Sequence, residues 1–305
     1  AEFEFVRIDK GSSIPQINIG FNSKVNRCLL LELPFPYKID FLTTIKQNLT
    51  LSYFNDTGYV VLELTDNSYF DLFNDLIISI YQRIYKLSEV EEYSNIFIQM
   101  FYKWSEFFDD KKSDKLSQDI IKGLFGELFI LKTLIIDTSS LYLNDLLSSW
   151  KGPYDKGHDF VFDKKNIEVK TKDISKSNVK ISSEYQLEKE FAKDLELLVL
   201  SVENNYIEGK SLSKLLNEVK EEIIKKMGDF SIVLTALSQK NITVQNIFEY
   251  DNYCFKPIEK IIYECNDEFP KLTKSNIPES ISGITYTLQL KQLEQFIISK
   301  EDIND

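Results

Sequence analysis

The segment His158-Asp-Phe-Val-Phe-Asp-Lys-Lys-Asn-Ile-Glu-Val-Lys-Thr171 constrains this chain more than any other stretch. Two β-rich apolar runs, Asp159–Phe162 and Ile167–Thr171, flank Asp163-Lys164-Lys165-Asn166, which is turn material, so the segment reads as a hairpin. A two-residue and a four-residue loop predict the same pairing: Phe162 opposite Ile167, Val161 opposite Glu168, Phe160 opposite Val169, Asp159 opposite Lys170. Side chains alternate across a strand, so Phe160, Phe162, Ile167 and Val169 share an apolar face. Asp159, Glu168 and Lys170 share the other. Two acids and an amine on a largely buried hairpin are costly unless they pair or hold a metal. Mg²⁺ suits the set, because it keeps several waters and needs few protein oxygens: two carboxylates and the Val169 carbonyl suffice. The lysine can then orient a water and offset charge building on a phosphate.

A helix expected from Leu116 to about Ile136 supplies a fourth group. Ile120, Leu124, Leu128, Leu131 and Ile135 form its apolar stripe. Glu127 lies three after Leu124 and four before Leu131, on or beside that stripe, so its carboxylate points to the core or a cleft. Gly123 and Gly126 cost the helix ~1 kcal/mol each against Ala, which makes sense if another backbone or a ligand comes close.

The remainder organises around this segment. Candidate strands Ile17–Gly20, Arg27–Leu33, Leu49–Phe54 and Tyr59–Leu64 suggest a β-rich N-terminal unit, followed by helices over Phe70–Leu87 and Tyr93–Phe108. Charged Asp109–Lys115 reads as a solvated connector. Beyond the hairpin come strands near Val179–Ser182 and Glu196–Val202, a helix Ser211–Met227, and a strand Phe230–Leu237. Further strands near Cys254–Cys265 and Gly283–Leu290 precede a polar tail. The division expected is 1–110 for the N-terminal unit, 111–240 for the core and 241–305 for an α/β extension.

Composition excludes several classes. With 305 residues, 43% of them hydrophobic, including 22 Phe and 16 Tyr, the chain buries a substantial core rather than remaining disordered. No run approaches the ~18 apolar residues of a membrane span, and no targeting motif is visible, so a cytoplasmic location without membrane partners is expected. Cys28, Cys254 and Cys265 have no paired spacing and read as reduced thiols. The single histidine, His158, excludes a multi-histidine metal site. The net charge of −12 argues against nucleic-acid binding. Against it stands a local concentration of lysine at Lys164, Lys165, Lys170, Lys172, Lys176 and Lys180, because net charge does not set the potential of a cleft.

Gly123-Leu-Phe-Gly126-Glu127-Leu128, Trp150-Lys-Gly152, His158-Asp159-Phe160 and Glu168-Val169-Lys170 together resemble the PD-(D/E)XK nuclease superfamily. More narrowly, they resemble a bacterial group found with restriction-modification genes. The resemblance is firm from about Ile120 to Thr171. It implies an α/β fold with a restriction-endonuclease-like core, a mixed sheet flanked by helices. It also implies hydrolysis of DNA phosphodiesters with Mg²⁺, with Asp159 and Glu168 as ligands, Lys170 as catalytic lysine and Glu127 completing the site. His158 stands where the family's name places proline, a variable position. Ser183-Glu-Tyr-Gln186-Leu adds a weaker likeness that puts Gln186 near the site. Double-stranded DNA is the implied partner; a homodimer, a cognate methyltransferase and other restriction-system proteins are compatible with it.

Acid-x-Lys spacing alone carries little in a chain that is 28% charged, since Asp109/Lys111 and Glu218/Lys220 show it too. Only Glu168/Lys170 sits in an apolar strand beside a second acid. His158 reads as a hydrogen bonder behind the site in preference to a general base, and Trp150 as a core edge in preference to a base stacker. Two rival functions remain: a repair or recombination nuclease reading DNA structure, and a catalytically idle module binding DNA or protein.

Overall fold

The computed structural model describes residues 3–9, 11, 13–109, 115–154 and 157–303. The chain divides into two compact units, Ala1–Lys112 and Ser113–Asp305. Most of the charged connector read at Asp109–Lys115 lies outside the described residues.

The first unit holds six strands: β1 (Phe3–Arg7), β2 (Gln16–Asn22), β3 (Arg27–Glu32), β4 (Thr44–Ile45), β5 (Leu49–Phe54) and β6 (Tyr59–Leu64). They form an antiparallel sheet in the order β1-β2-β3-β6-β5-β4. The central strand β3 buries both faces. Leu29 and Leu31 pair with Leu62 and Val60 on one side, while Cys28, Leu30 and Val61 gather with Phe5 and Tyr59 on the other. Two helices, α1 (Phe70–Ile84) and α2 (Val90–Ser105), follow and pack on each other. β1 escaped the sequence reading because a five-residue edge strand with one wet face carries a weak apolar signal.

The second unit is built on a five-stranded sheet in the order β13-β11-β10-β8-β7. Its strands are β7 (Phe160–Val161), β8 (Lys165–Asp173), β10 (Asp194–Asn204), β11 (Phe255–Glu264) and β13 (Ile297–Asp302). β8 and β10 run parallel and the other pairs are antiparallel. The centre of the sheet is β10, whose mostly apolar stretch from Leu195 to Val202 is what a strand covered on both faces requires. Leu195, Leu197 and Val199 enter a cluster with Ile261, Tyr263 and Phe296. Their neighbours Leu198, Leu200 and Val202, also buried, point the opposite way. Helix α3 (Gln118–Asp137) packs on β8 and on α5 (Leu212–Lys225). Ser117 caps α3 by accepting from Ile120 N. Residues 241–305 are not set apart from this unit, since they supply β11 and β13 to its sheet.

Three elements of this second unit differ from expectation. Phe230–Leu237 is not a strand but helix α6 (Ser231–Ser238). Its apolar run is short and buried, where period cannot separate the two states, and the Asp229 carboxylate accepts from Ser231 N at the start. A short helix α4 (Leu143–Ser149) occupies a stretch to which the sequence reading assigned no element, and the polar tail contains β13, an edge strand. Last, a two-stranded ribbon of β9 (Asn178–Ile181) and β12 (Tyr286–Gln289) lies beside the main sheet.

Candidate active site

The hairpin forms, with a register two residues from the expected one. Phe160 pairs with Ile167 and Val161 with Asn166, and Phe162 N donates to Lys165 O at 2.9 Å. The turn is therefore the two residues Asp163-Lys164. An even slip leaves every side chain on its expected face, so the apolar and polar sets survive, but Asp159 moves along the strand toward Glu168 instead of Lys170. Asp159 lies just before β7, where its main-chain oxygen accepts from Lys151 N at 2.7 Å and Gly152 N at 3.1 Å. Its Oδ2 accepts from Val169 N at 2.7 Å.

On β8, Glu168 is fully buried. Its Oε1 accepts from Lys170 Nζ at 2.8 Å, whereas Oε2 is buried with no hydrogen-bond partner. Burial first, then the nearby Asp159 charge, pushes the Glu168 carboxyl up to about 8, despite the lowering effect of Lys170. Burial alone would lower the Lys170 ammonium, but Glu168 and Asp159 outweigh it and raise it. Lys170 also donates to Gln186 Oε1 at 3.0 Å, an oxygen that accepts from Ser182 N at 2.8 Å. Gln186 is thus beside the site.

Glu127 reaches the same place from α3. Its Oε2 accepts from Trp150 Nε1 at 2.8 Å. It keeps some exposure along the cleft wall, yet desolvation and the Asp159 charge push its carboxyl well above the usual range. Gly152 marks the convergence: a Cβ there would collide with the Glu127 carboxylate and stand 2.7 Å from Asp159 Oδ1. Only glycine leaves room for both acids. Gly126 serves helix packing, since a Cβ would strike the Thr171 side chain, whereas Gly123 faces open space in the cleft.

Asp159, Glu168, Lys170, Val169 and Glu127 therefore line one cleft of about 880 Å³. Lys172, Lys176 and Lys180 line it as well, joined by Lys122 and Lys240, which sequence reasoning did not select. Lys164 and Lys165 do not line it, and Lys165 pairs with Glu196 at 3.0 Å. His158 is buried behind the cleft, with Nδ1 3.1 Å from Asn166 Nδ2. Burial lowers its pKa, only partly offset by Glu190. Trp150 is buried and no base stacker. Its bond to Glu127 was not readable from sequence.

Among the described residues, no group of three or more His, Cys, Asp or Glu side chains stands assembled to hold a metal. The donor set still suits a hard divalent cation that needs few protein oxygens. Two mutually repelling carboxylates, one with an orphaned buried oxygen, gain most from a positive charge between them.

A protein-family model matches residues 1–291, and its description is "Putative PD-(D/E)XK family member, (DUF4420)". The chain belongs to that family. No curated protein and no solved structure matches it significantly. Family membership agrees with the α/β architecture, in which a mixed sheet flanked by helices carries the acids on β8 and just before β7. No helix among the described residues is long and apolar enough to cross a membrane.

Proposed function

We propose that the chain is a Mg²⁺-dependent DNA endonuclease that hydrolyses phosphodiester bonds and serves in restriction of foreign DNA. The observation that carries this reading is Glu168: fully buried, pushed up to about 8, paired with Lys170 and left with one oxygen unpartnered. A chain tolerates such a carboxylate where it is used. Asp159, Glu168 and the Val169 carbonyl would hold Mg²⁺, with Glu127 on a second metal or on a water of the first. When bound, the ion supplies a nucleophilic water and neutralises phosphate charge. Lys170 keeps its proton, held by Glu168 and Gln186, and offers it as a hydrogen bond to a phosphate oxygen or the attacking water. Trp150 and Gly152 fix the Glu127 carboxylate beside Asp159. The restriction role rests on the likeness to families found with restriction-modification genes.

The test is plasmid cleavage by the purified full chain with and without Mg²⁺, alongside Lys170→Ala. Cleavage that needs Mg²⁺ and vanishes in the variant supports the reading, and a variant cutting at the wild-type rate sinks the assigned centre. Methylated and unmethylated phage DNA digested side by side tests the restriction role. Equal digestion into a featureless smear would favour a nuclease reading DNA structure.

A further inference from the structure

The ribbon of β9 and β12 has two unlike faces. The ladder pairs Tyr286 with Ile181, Thr287 with Lys180, Leu288 with Val179 and Gln289 with Asn178. Val179, Ile181 and Leu288 enter the core with Tyr286 packed against it. The opposite face carries Asn178 and Gln289, Lys180 and Thr287, and then Ser182 and Thr285 just past the ladder, where Thr285 Oγ1 reaches Ser182 O at 3.4 Å. This face holds donors and acceptors, one positive charge and no carboxylate. All but the half-buried Asn178 are exposed.

Its placement is as distinctive as its composition. Asn178, Lys180 and Ser182 line the cleft that holds Glu168 and Lys170. Ser182 N and Lys170 Nζ donate to the same Gln186 oxygen, so the polar face starts beside the lysine and runs away from it. A ribbon stabilised only by its buried side has no need of amides and hydroxyls ranged along a cleft in this way.

We propose that this ribbon reads base edges in the DNA major groove beside the cleaved phosphate, with Asn178 and Gln289 as the specificity-determining side chains and Lys180 on the adjoining phosphate backbone. The proposal rests on the DNA reading above. The major groove, ~12 Å wide, admits a two-stranded ribbon, and side-chain amides pair bidentately with adenine. Strand rise of ~3.4 Å per residue matches the rise per base pair, so alternate side chains fall about two base pairs apart.

The experiment is a binding selection from a random-sequence duplex pool in Ca²⁺, with the wild-type full chain and with Asn178→Ala/Gln289→Ala, both first shown to melt alike. The wild type is expected to enrich defined bases at two to four adjacent positions. The double variant should lose that preference by about 5- to 100-fold, while its affinity for the unselected pool stays within about twofold. Equal preferences in both proteins, or none in the wild type, overturn the ribbon's role. Absence of any DNA binding overturns it together with the DNA reading. Plasmid cleavage in Mg²⁺ is scored separately: ribbon-dependent preference without cleavage would leave the ribbon standing and remove the nuclease assignment.

Discussion

Trp150 and Glu127 are joined by a hydrogen bond of 2.8 Å from the indole Nε1 to Oε2, across 23 residues of sequence. The indole is buried, and a donor to a half-buried carboxylate holds the group in one rotamer as well as lowering its energy. Trp150→Phe keeps the packing and deletes the donor. Chemical denaturation should show a loss of about 1–3 kcal/mol, the range for losing a hydrogen bond to a charged group. The Mg²⁺ concentration for half-maximal cleavage should rise about 10-fold, as when partners behind a metal ligand are lost. An unchanged Mg²⁺ requirement would show that Glu127 needs no such support.

Glu168 makes stability depend on pH in the metal-free protein. Its folded pKa, about 8, exceeds the ordinary 4.5, so the folded state binds the proton more tightly than the unfolded one. The resulting stabilisation is complete below about 4.5 and is lost as pH rises through 8. Glu127 is shifted the same way. Melting temperature in EDTA should therefore fall between pH 5 and 9, and Glu168→Gln should flatten the fall and melt higher at pH 9. Mg²⁺ should reverse the trend, because it binds the deprotonated carboxylates. A wild-type melting temperature that rises over this range in EDTA would contradict the assignment.

The two glycines of α3 should respond oppositely to alanine. Gly123 has nothing within 4 Å of an added Cβ, so Gly123→Ala should stabilise by up to ~1 kcal/mol through helix propensity. Gly126→Ala forces the new methyl into Thr171 and should destabilise by about 1–3 kcal/mol. Adding Thr171→Ala should recover part of that loss. Urea denaturation of the four proteins checks the order, and two single variants of the same sign would refute the packing argument.

Much of the site was legible because it depends on short-range rules. Period-two alternation placed Asp159, Glu168 and Lys170 on one face, and an even register slip could not move them off it. Helical spacing placed Glu127 toward the cleft. What stayed hidden depends on tertiary approach. The turn at Asp163-Lys164 was one of several that alternation allows. Trp150 and Gly152 carry no signal that they touch carboxylates from two other segments. The Ser231–Ser238 helix is a short buried apolar run, in which strand and helix look alike. β1 and β13 are edge strands, where half the residues face water and the apolar period fades.

The lysines separate by position rather than by sequence proximity. Lys164, at the hairpin turn, and Lys165, bound to Glu196, do not line the cleft, while Lys172, Lys176 and Lys180 do. Lys172 is buried, and desolvation lowers its pKa, so it suits a fixed contact close to the site. Lys176 and Lys180 are exposed and can reach a phosphate backbone, Lys176 by exchanging its 3.5 Å surface pair with Asp173. Each phosphate neutralised adds about −0.9 to the slope of log affinity against log salt. Lys176→Gln/Lys180→Gln should therefore flatten the measured slope by nearly two, and Lys164→Gln/Lys165→Gln should leave it unchanged. Both pairs remove the same formal charge, so a purely global effect of the −12 net charge would change the two slopes equally. Fluorescence anisotropy of a labelled duplex in Ca²⁺ at several salt concentrations distinguishes the cases. Flattening by the Lys164/Lys165 pair alone would move the DNA track from the cleft to the hairpin tip.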